Sequence, residues 1–120
     1  MLTGENGNRM LHRMPPTLNN DVKLSHSAAL ILRTIECGYR YGFDVMEVTG
    51  LPSGTVYPAL RRLERDGLIT ARWEEETVAF AEQRPARRYY RVTRAGKRAL
   101  VRLVGKYPLL EKVTPAREAN

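Results

Sequence analysis

The sequence predicts a mainly α domain with one small antiparallel β-hairpin, an α+β arrangement. Three observations lead there. Apolar residues recur at helical spacing in three short stretches between Ser25 and Asp66. Two later stretches, from Leu68 to Trp73 and from Arg88 to Thr93, alternate with the period of a strand. A last helical stripe follows Thr93. A chain of 120 residues suits a single domain with one core.

Residues 1–24 hold Gly4, Asn6, Gly7, Asn8, Pro15, Pro16, Asn19 and Asn20 without any sustained period, and read as a flexible arm. Ser25 or Ser27 then caps a first helix, in which Ala28, Ile31, Leu32 and Ile35 form one stripe and Gly38 is the terminator. A short second helix runs from Tyr41 to Thr49, with Phe43, Val45, Met46 and Val48 as its apolar contacts and Gly50 and Pro52 as its stop.

Ser53 or Thr55 caps a third helix reaching about Asp66. A start at Thr55 is favoured, because Pro58 then falls in the first turn, where its missing N–H costs nothing. Val56, Leu60 and Leu63 share one face of this helix, and the opposite face carries Pro58, Arg61 and Arg65, flanked by Tyr57 and Arg62. Gly67 and Leu68 look like a Schellman end.

The two strands enclose a long loop with Glu74, Glu75 and Glu76 at its start and Arg84 and Arg87 near its end. The acidic triplet should point away from any polyanion or pair with the loop arginines. Of Tyr89 and Tyr90, one belongs to the core and the other to the surface, and Trp73 packs at the strand end. Thr93 caps the fourth helix, whose stripe is Leu100, Leu103, Val104 and Tyr107; Pro108 interrupts it, and residues 109–113 form a further turn.

The charge is uneven. Twenty Lys and Arg against 13 Asp and Glu give a net +7. From Arg84 to Lys106 there are nine basic residues and no acidic one. Such a run lacks internal partners and calls for an external anion. Other classes find no support. The longest clean apolar run, Ala28 to Leu32, is five residues, too short for a membrane span, and no apolar leader opens the chain. The single cysteine, Cys37, excludes a disulfide framework and cysteine-rich zinc sites, and reads as a small hydrophobe. His12 and His26 lack ligand or triad partners, and no nucleophile elbow, phosphate loop or zincin motif occurs. The expectation is a cytoplasmic protein that is not an enzyme, with no metal and no cofactor.

Three helices followed by a hairpin form the winged helix-turn-helix arrangement. Its third helix enters a major groove with Arg61, Arg62 and Arg65 outward, and the wing tip brings Arg84 and Arg87 to the backbone. Two other readings are a winged-helix protein-interaction module and a nonspecific nucleic-acid binder. The arginines opposite the core stripe favour sequence-specific DNA binding.

The residues also resemble the PadR family of bacterial transcriptional regulators from about Ser25 to Lys106. The resemblance rests on Tyr41-Gly42-Phe43-Asp44, on the run from Leu51 to Glu64, on Asp66-Gly67-Leu68-Ile69, on the run from Arg87 to Thr93, and on Ala95-Gly96. It implies a homodimer on double-stranded DNA, most often a repressor. Tyr41, Ser53, Thr55, Tyr57, Pro58, Arg61, Arg62, Arg65, Arg84 and Arg87 then form the DNA face. The terminal helix, through Leu100, Leu103, Val104 and Tyr107, builds the dimer. The segment from Tyr41 to Ser53 is shorter than in many members, and the brief region around Pro108 matches the compact type with one terminal helix. A small-molecule effector stays open. The organisation expected is an arm over 1–24, a winged helix over 25–93, a dimerisation helix over 94–113 and a tail over 114–120.

Overall fold

Helix α1 (His26–Glu36) is the hub of the molecule, which is described by a computed structural model over residues 23–116. The Ala28 N–H donates to Ser25 Oγ at 3.1 Å, fixing the N-cap. The stripe Ala28, Ile31, Leu32 and Ile35 is buried to 2% exposure or less. The helix ends in a Schellman motif: the Gly38 N–H donates to Ile35 O at 3.0 Å, and the Tyr39 N–H to Thr34 O at 3.2 Å. Gly38 takes φ +108°, a region that L side chains rarely enter. The expected arm extends too far inward, because Leu24 lies in the core and its carbonyl accepts the Tyr107 hydroxyl at 3.1 Å. Residues 1–22 of that arm, and 117–120 of the tail, lie outside the described residues.

Helix α2 (Gly42–Thr49) takes Tyr41 as its N-cap and ends at Gly50, φ +74°. Val45 is buried and Met46 packs against the core. Phe43 and Val48, expected as core contacts, are 62% and 42% exposed. Phe43 stands two residues, about 200°, from Val45, so one short helix cannot bury both.

Helix α3 (Ser53–Arg65) starts earlier than the favoured reading, with Pro52 at the N-cap and neither Ser53 nor Thr55 capping through its side chain. The Pro52 carbonyl accepts the Val56 N–H at 3.0 Å. Pro58 therefore lies inside the helix and deprives the Gly54 carbonyl of its donor at an exposed residue. Val56, Ala59, Leu60 and Leu63 are buried. The end follows the Schellman reading, with the Leu68 N–H on Leu63 O at 3.0 Å, the Gly67 N–H on Glu64 O at 3.0 Å, and Gly67 at φ +78°.

Strands β1 (Ile69–Trp73) and β2 (Arg88–Val92) pair antiparallel, from Ile69 opposite Val92 to Trp73 opposite Arg88. A third segment, unanticipated in the sequence, joins the far edge: Tyr41 bridges Tyr89, and the Tyr90 N–H donates to Arg40 O at 2.9 Å. Tyr90 is the core tyrosine and Tyr89 is half-buried. Trp73 does not pack at the strand end. It is 62% exposed, because β1 runs past the edge of the core there. The connection expected as a loop contains a helix, α4 (Glu76–Ala81), which buries Ala79.

Helix α5 (Arg94–Lys106) is capped by Thr93, whose Oγ1 accepts the Gly96 N–H at 3.0 Å and donates to Gly67 O at 2.7 Å. Leu100 and Leu103, expected at a partner chain, face the core of their own chain at 3% exposure, because α5 packs on α1. Val104 and Tyr107 sit at the core margin. A 3-10 turn (Pro108–Lys112) follows and buries Leu110. The chain then crosses the end of α1, where the Ala116 N–H donates to Cys37 O at 2.8 Å. Cys37 is half-buried, and burial pushes its thiol up.

Two glycines of α5 should respond with opposite signs. A Cβ on Gly96 would run into Leu68 O and stand 2.7 Å from Val92 Cγ1, whereas nothing lies within 4 Å of one on Gly105. Chemical denaturation should show Gly96→Ala losing about 1–3 kcal/mol by overpacking. Gly105→Ala should gain up to about 1 kcal/mol of helix propensity.

Candidate nucleic-acid interface

Helix α3 presents a clean division. Its inward residues Val56, Leu60 and Leu63 are at most 1% exposed, while Tyr57, Pro58, Arg61, Arg62 and Arg65 all stand in solvent on the other side. Tyr57 also has a structural contact. A Cβ on Gly42 would come within 2.6 Å of its ring and hydroxyl, so the ring lies on the backbone at the start of α2 and sets the approach of α2 to α3. Arg65 reaches Asp66 only at 3.7 Å and is 73% exposed, too loose a pair to occupy it. Ser53 is exposed and Thr55 half-buried at the helix start.

Arg88 ties the wing to this helix. Its Nη2 donates to both Glu64 oxygens at 3.1–3.2 Å, and its guanidinium lies 5.6 Å from the centre of the Trp73 ring. That pair is at the surface, whereas Arg84 is drawn into a more buried one. Nη1 and Nη2 of Arg84 donate to the two Glu74 oxygens at 2.6 and 2.9 Å. The Glu74 side chain is 8% exposed and that of Arg84 21%. Glu74 also accepts the Arg87 N–H at 3.2 Å, and its own N–H donates to Arg87 O at 2.7 Å. The acidic triplet therefore supplies one internal ion-pair partner, as its position beside the loop arginines suggests. Arg84, expected at the DNA face, turns inward.

Arg87 remains outward. Its guanidinium lies 4.7 Å from the centre of the Tyr41 ring, which meets Tyr89 edge-on at 5.8 Å. The structure thus brings the expected residues together in two groups, Tyr57 to Arg65 on α3 and Tyr41 with Arg87 on the wing. The sequence reading passes over Arg72 and Arg91. Both are exposed on the sheet face away from the core, with Thr70 and Tyr89, and strand parity is the signal that finds them. Among the described residues, no cluster of His, Cys, Asp and Glu is arranged to hold a metal, and no helix is long and apolar enough to cross a membrane.

The hydrogen bonds from Arg84, aided by the Arg87 N–H and the charges of both arginines against a smaller cost of burial, push the Glu74 carboxyl down from 4.5 to about 2. The folded value lies below the free one. The pair therefore contributes in full above pH 4.5 and loses its contribution as the pH falls through about 2. NMR titration of the Glu74 side-chain carboxyl should give a midpoint near 2; a midpoint near 4.5 would contradict the ion pair.

Residues 31–102 match the sequence model of the transcriptional regulator PadR-like family. Transcriptional regulator Rv3488 of Mycobacterium tuberculosis is 37% identical over 90 residues, covering 75% of this chain and 66% of that protein, so the chain spans just under two thirds of this curated relative. A crystallised PadR family transcription regulator from Clostridium difficile R20291 is similar with a TM-score of 0.61 and 26% identity, over 74% of this chain and 94% of that one. A PadR-like transcription factor from Bacteroides fragilis gives a TM-score of 0.57 and 28% identity, over 71% and 82%. The mostly helical fold with its two-stranded hairpin is the winged helix of these regulators. From the family match across α1 to α5 and the shared fold, this chain belongs to the PadR-like family of transcriptional regulators, which are not enzymes.

Proposed function

We propose that the chain is a sequence-specific DNA-binding repressor that occupies a near-palindromic operator as a homodimer in the cytoplasm. The observation that carries this reading is the outward face of α3, where Arg61, Arg62 and Arg65 stand exposed opposite a fully buried stripe. A major groove admits one helix, and arginine is the side chain best suited to its guanine edges. Tyr57 and Pro58 flank these arginines, Ser53 and Thr55 lie at the helix start, and Arg87 on Tyr41 extends the face onto the wing. Arg84 serves this face indirectly, through Glu74.

Residues 25–93 are the DNA-reading unit on this proposal, and 94–113 the pairing segment. Leu100 and Leu103 anchor α5 internally, so pairing falls to the surface beside them. Val101 is 78% exposed and Leu109 61%, with Val104 and Tyr107 half-buried at the margin. In a two-fold dimer the two α3 helices enter successive major grooves, about 34–36 Å apart.

DNA binding should be steeply salt-dependent. With ~6–10 phosphates neutralised per dimer, affinity should fall about 10³–10⁵-fold between about 50 and 200 mM salt, and a flat response would defeat the DNA reading. On a duplex selected by the wild-type chain from a random pool, Arg61→Ala should cost on the order of 1–3 kcal/mol and relax preference at one position; an equal loss on every sequence would reassign it to a phosphate.

Sedimentation at micromolar concentration should give twice the 13.7 kDa chain mass, and Val101→Glu should shift it towards that mass. A wild-type monomer would remove the dimer from the proposal.

A further inference from the structure

The wing poses a problem of charge. A surface that meets phosphate has no electrostatic use for a carboxylate, yet Glu74 sits at the base of the wing loop with its side chain 8% exposed. Its neighbours Glu75 and Glu76 are exposed and make no side-chain cap to α4. Glu74 differs from them in what it holds. Both of its oxygens accept from Arg84, ten residues on, and one also accepts the Arg87 N–H, thirteen residues on. Its own N–H donates to Arg87 O, just beyond the last strand pair, Trp73 with Arg88. The carboxylate therefore closes the whole excursion from Glu75 to Ala86, including α4, onto the root of the hairpin. Arg84 reinforces this: it is mostly buried, its Nε has no hydrogen-bond partner, and beyond a 3.3 Å bond from Nη1 to the adjacent Pro85 O its guanidinium is held by the Glu74 pair.

The consequence falls on Arg87. Its backbone is fixed on both sides, N–H and carbonyl, by Glu74. Its side chain extends from that fixed point over the Tyr41 ring, which is itself held edge-on by Tyr89 and by the backbone bridge to β2. A guanidinium held by an aromatic face and a pinned backbone loses less freedom on meeting a phosphate or a groove edge than one on a mobile loop.

We propose that Glu74 is a positioning residue for DNA binding: by closing the wing through Arg84 and the Arg87 N–H, it sets Arg87 on Tyr41 as the outward contact of the wing, so that removing this negative charge weakens binding. The inference rests on the DNA-binding reading above and deepens it. It opposes simple charge counting, under which losing Glu74 makes the chain more basic, releases Arg84 and tightens binding.

The test is a set of variants measured on a duplex selected from a random pool by the wild-type chain. Glu74→Gln should bind roughly tenfold more weakly, and its salt slope should fall by about 1, as for one lost phosphate contact. Glu75→Gln removes the same charge one residue away and should bind at least as well as wild type. Arg84→Gln should be weak under either view. The double variant Glu74→Gln with Arg84→Gln decides between them: restored charge balance predicts wild-type binding, whereas the latch predicts binding no better than either single variant. In the free protein, Glu74→Gln should speed amide exchange from Val78 to Arg87 while α1 and α5 stay protected. Wild-type or tighter binding by Glu74→Gln, or unchanged exchange in the wing, would overturn the proposal. If the wild-type chain itself retains no DNA, the DNA-binding reading falls, and with it the role of Arg87. The exchange measurement then still decides whether Glu74 holds the wing.

Discussion

Four segments converge on the turn at Gly67 and Leu68, and the arrangement of the reading elements depends on that convergence. The Leu68 N–H closes the end of α3, and the Leu68 carbonyl accepts the Thr93 N–H at 3.0 Å as β2 gives way to α5. Thr93 then hydrogen-bonds Gly67 O and receives Gly96 N–H, and Gly96 lies so close to Leu68 O that only glycine fits without displacement. Helix α3, both strands of the wing and the terminal helix are therefore fixed by one cluster of backbone contacts. The cluster uses two glycines that cannot be exchanged freely: one with positive φ at 67 and one without room for a Cβ at 96. A change of a few tenths of an ångström there would alter the angle between α3 and α5.

Electrostatics act within that frame by sorting the basic residues. The nine positive charges from Arg84 to Lys106 look uniform as a string, but Arg84 pairs with the buried Glu74 side chain and Arg88 with Glu64 at the surface. The Glu64 pair joins α3 to the wing root, and the Glu74 pair joins the wing loop to itself. Arg87, between them in sequence, remains exposed. Acidic residues so placed do not offset the positive face at random. Each holds a neighbouring arginine in a structural role and so decides which of the adjacent cations is presented.

The features legible in the sequence are those set by local chemistry. The stripes of α1, α3 and α5, the serine and threonine caps at Ser25 and Thr93, and the glycine ends at 38, 50 and 67 follow from spacing and from what glycine and hydroxyl groups do at helix ends. The features that are not legible depend on remote partners. Whether Trp73 and Phe43 are covered depends on where the core stops, and no periodicity reports that. The pairing of Arg40 and Tyr41 with β2 joins segments some fifty residues apart without an apolar run of its own. Helix α4 is only six residues long, too short to show a period, and is held by a buried alanine and the closure at Glu74. On the candidate face, the arginines of α3 were legible because one helix determines their direction. The fates of Arg84 and Arg87 were not, because a carboxylate on the other arm of the hairpin separates them.

Helix α3 shows how the fold leaves its outward face open to change. It has no side-chain N-cap, contains a proline, and lacks one internal hydrogen bond, so intrinsic propensity contributes little to it. Burial of Val56, Ala59, Leu60 and Leu63, together with the Schellman end, fixes it instead. None of those constraints involves Pro58, Arg61, Arg62 or Arg65. The missing bond also lies on the exposed side, at Gly54. The outward residues can therefore be exchanged without loss of the inward packing, which is the condition under which one scaffold can carry many different surfaces. Tyr57 is the exception: its ring both borders the outward face and rests on the Gly42 backbone, so it is the one position on that face where a change of contact would also move α2.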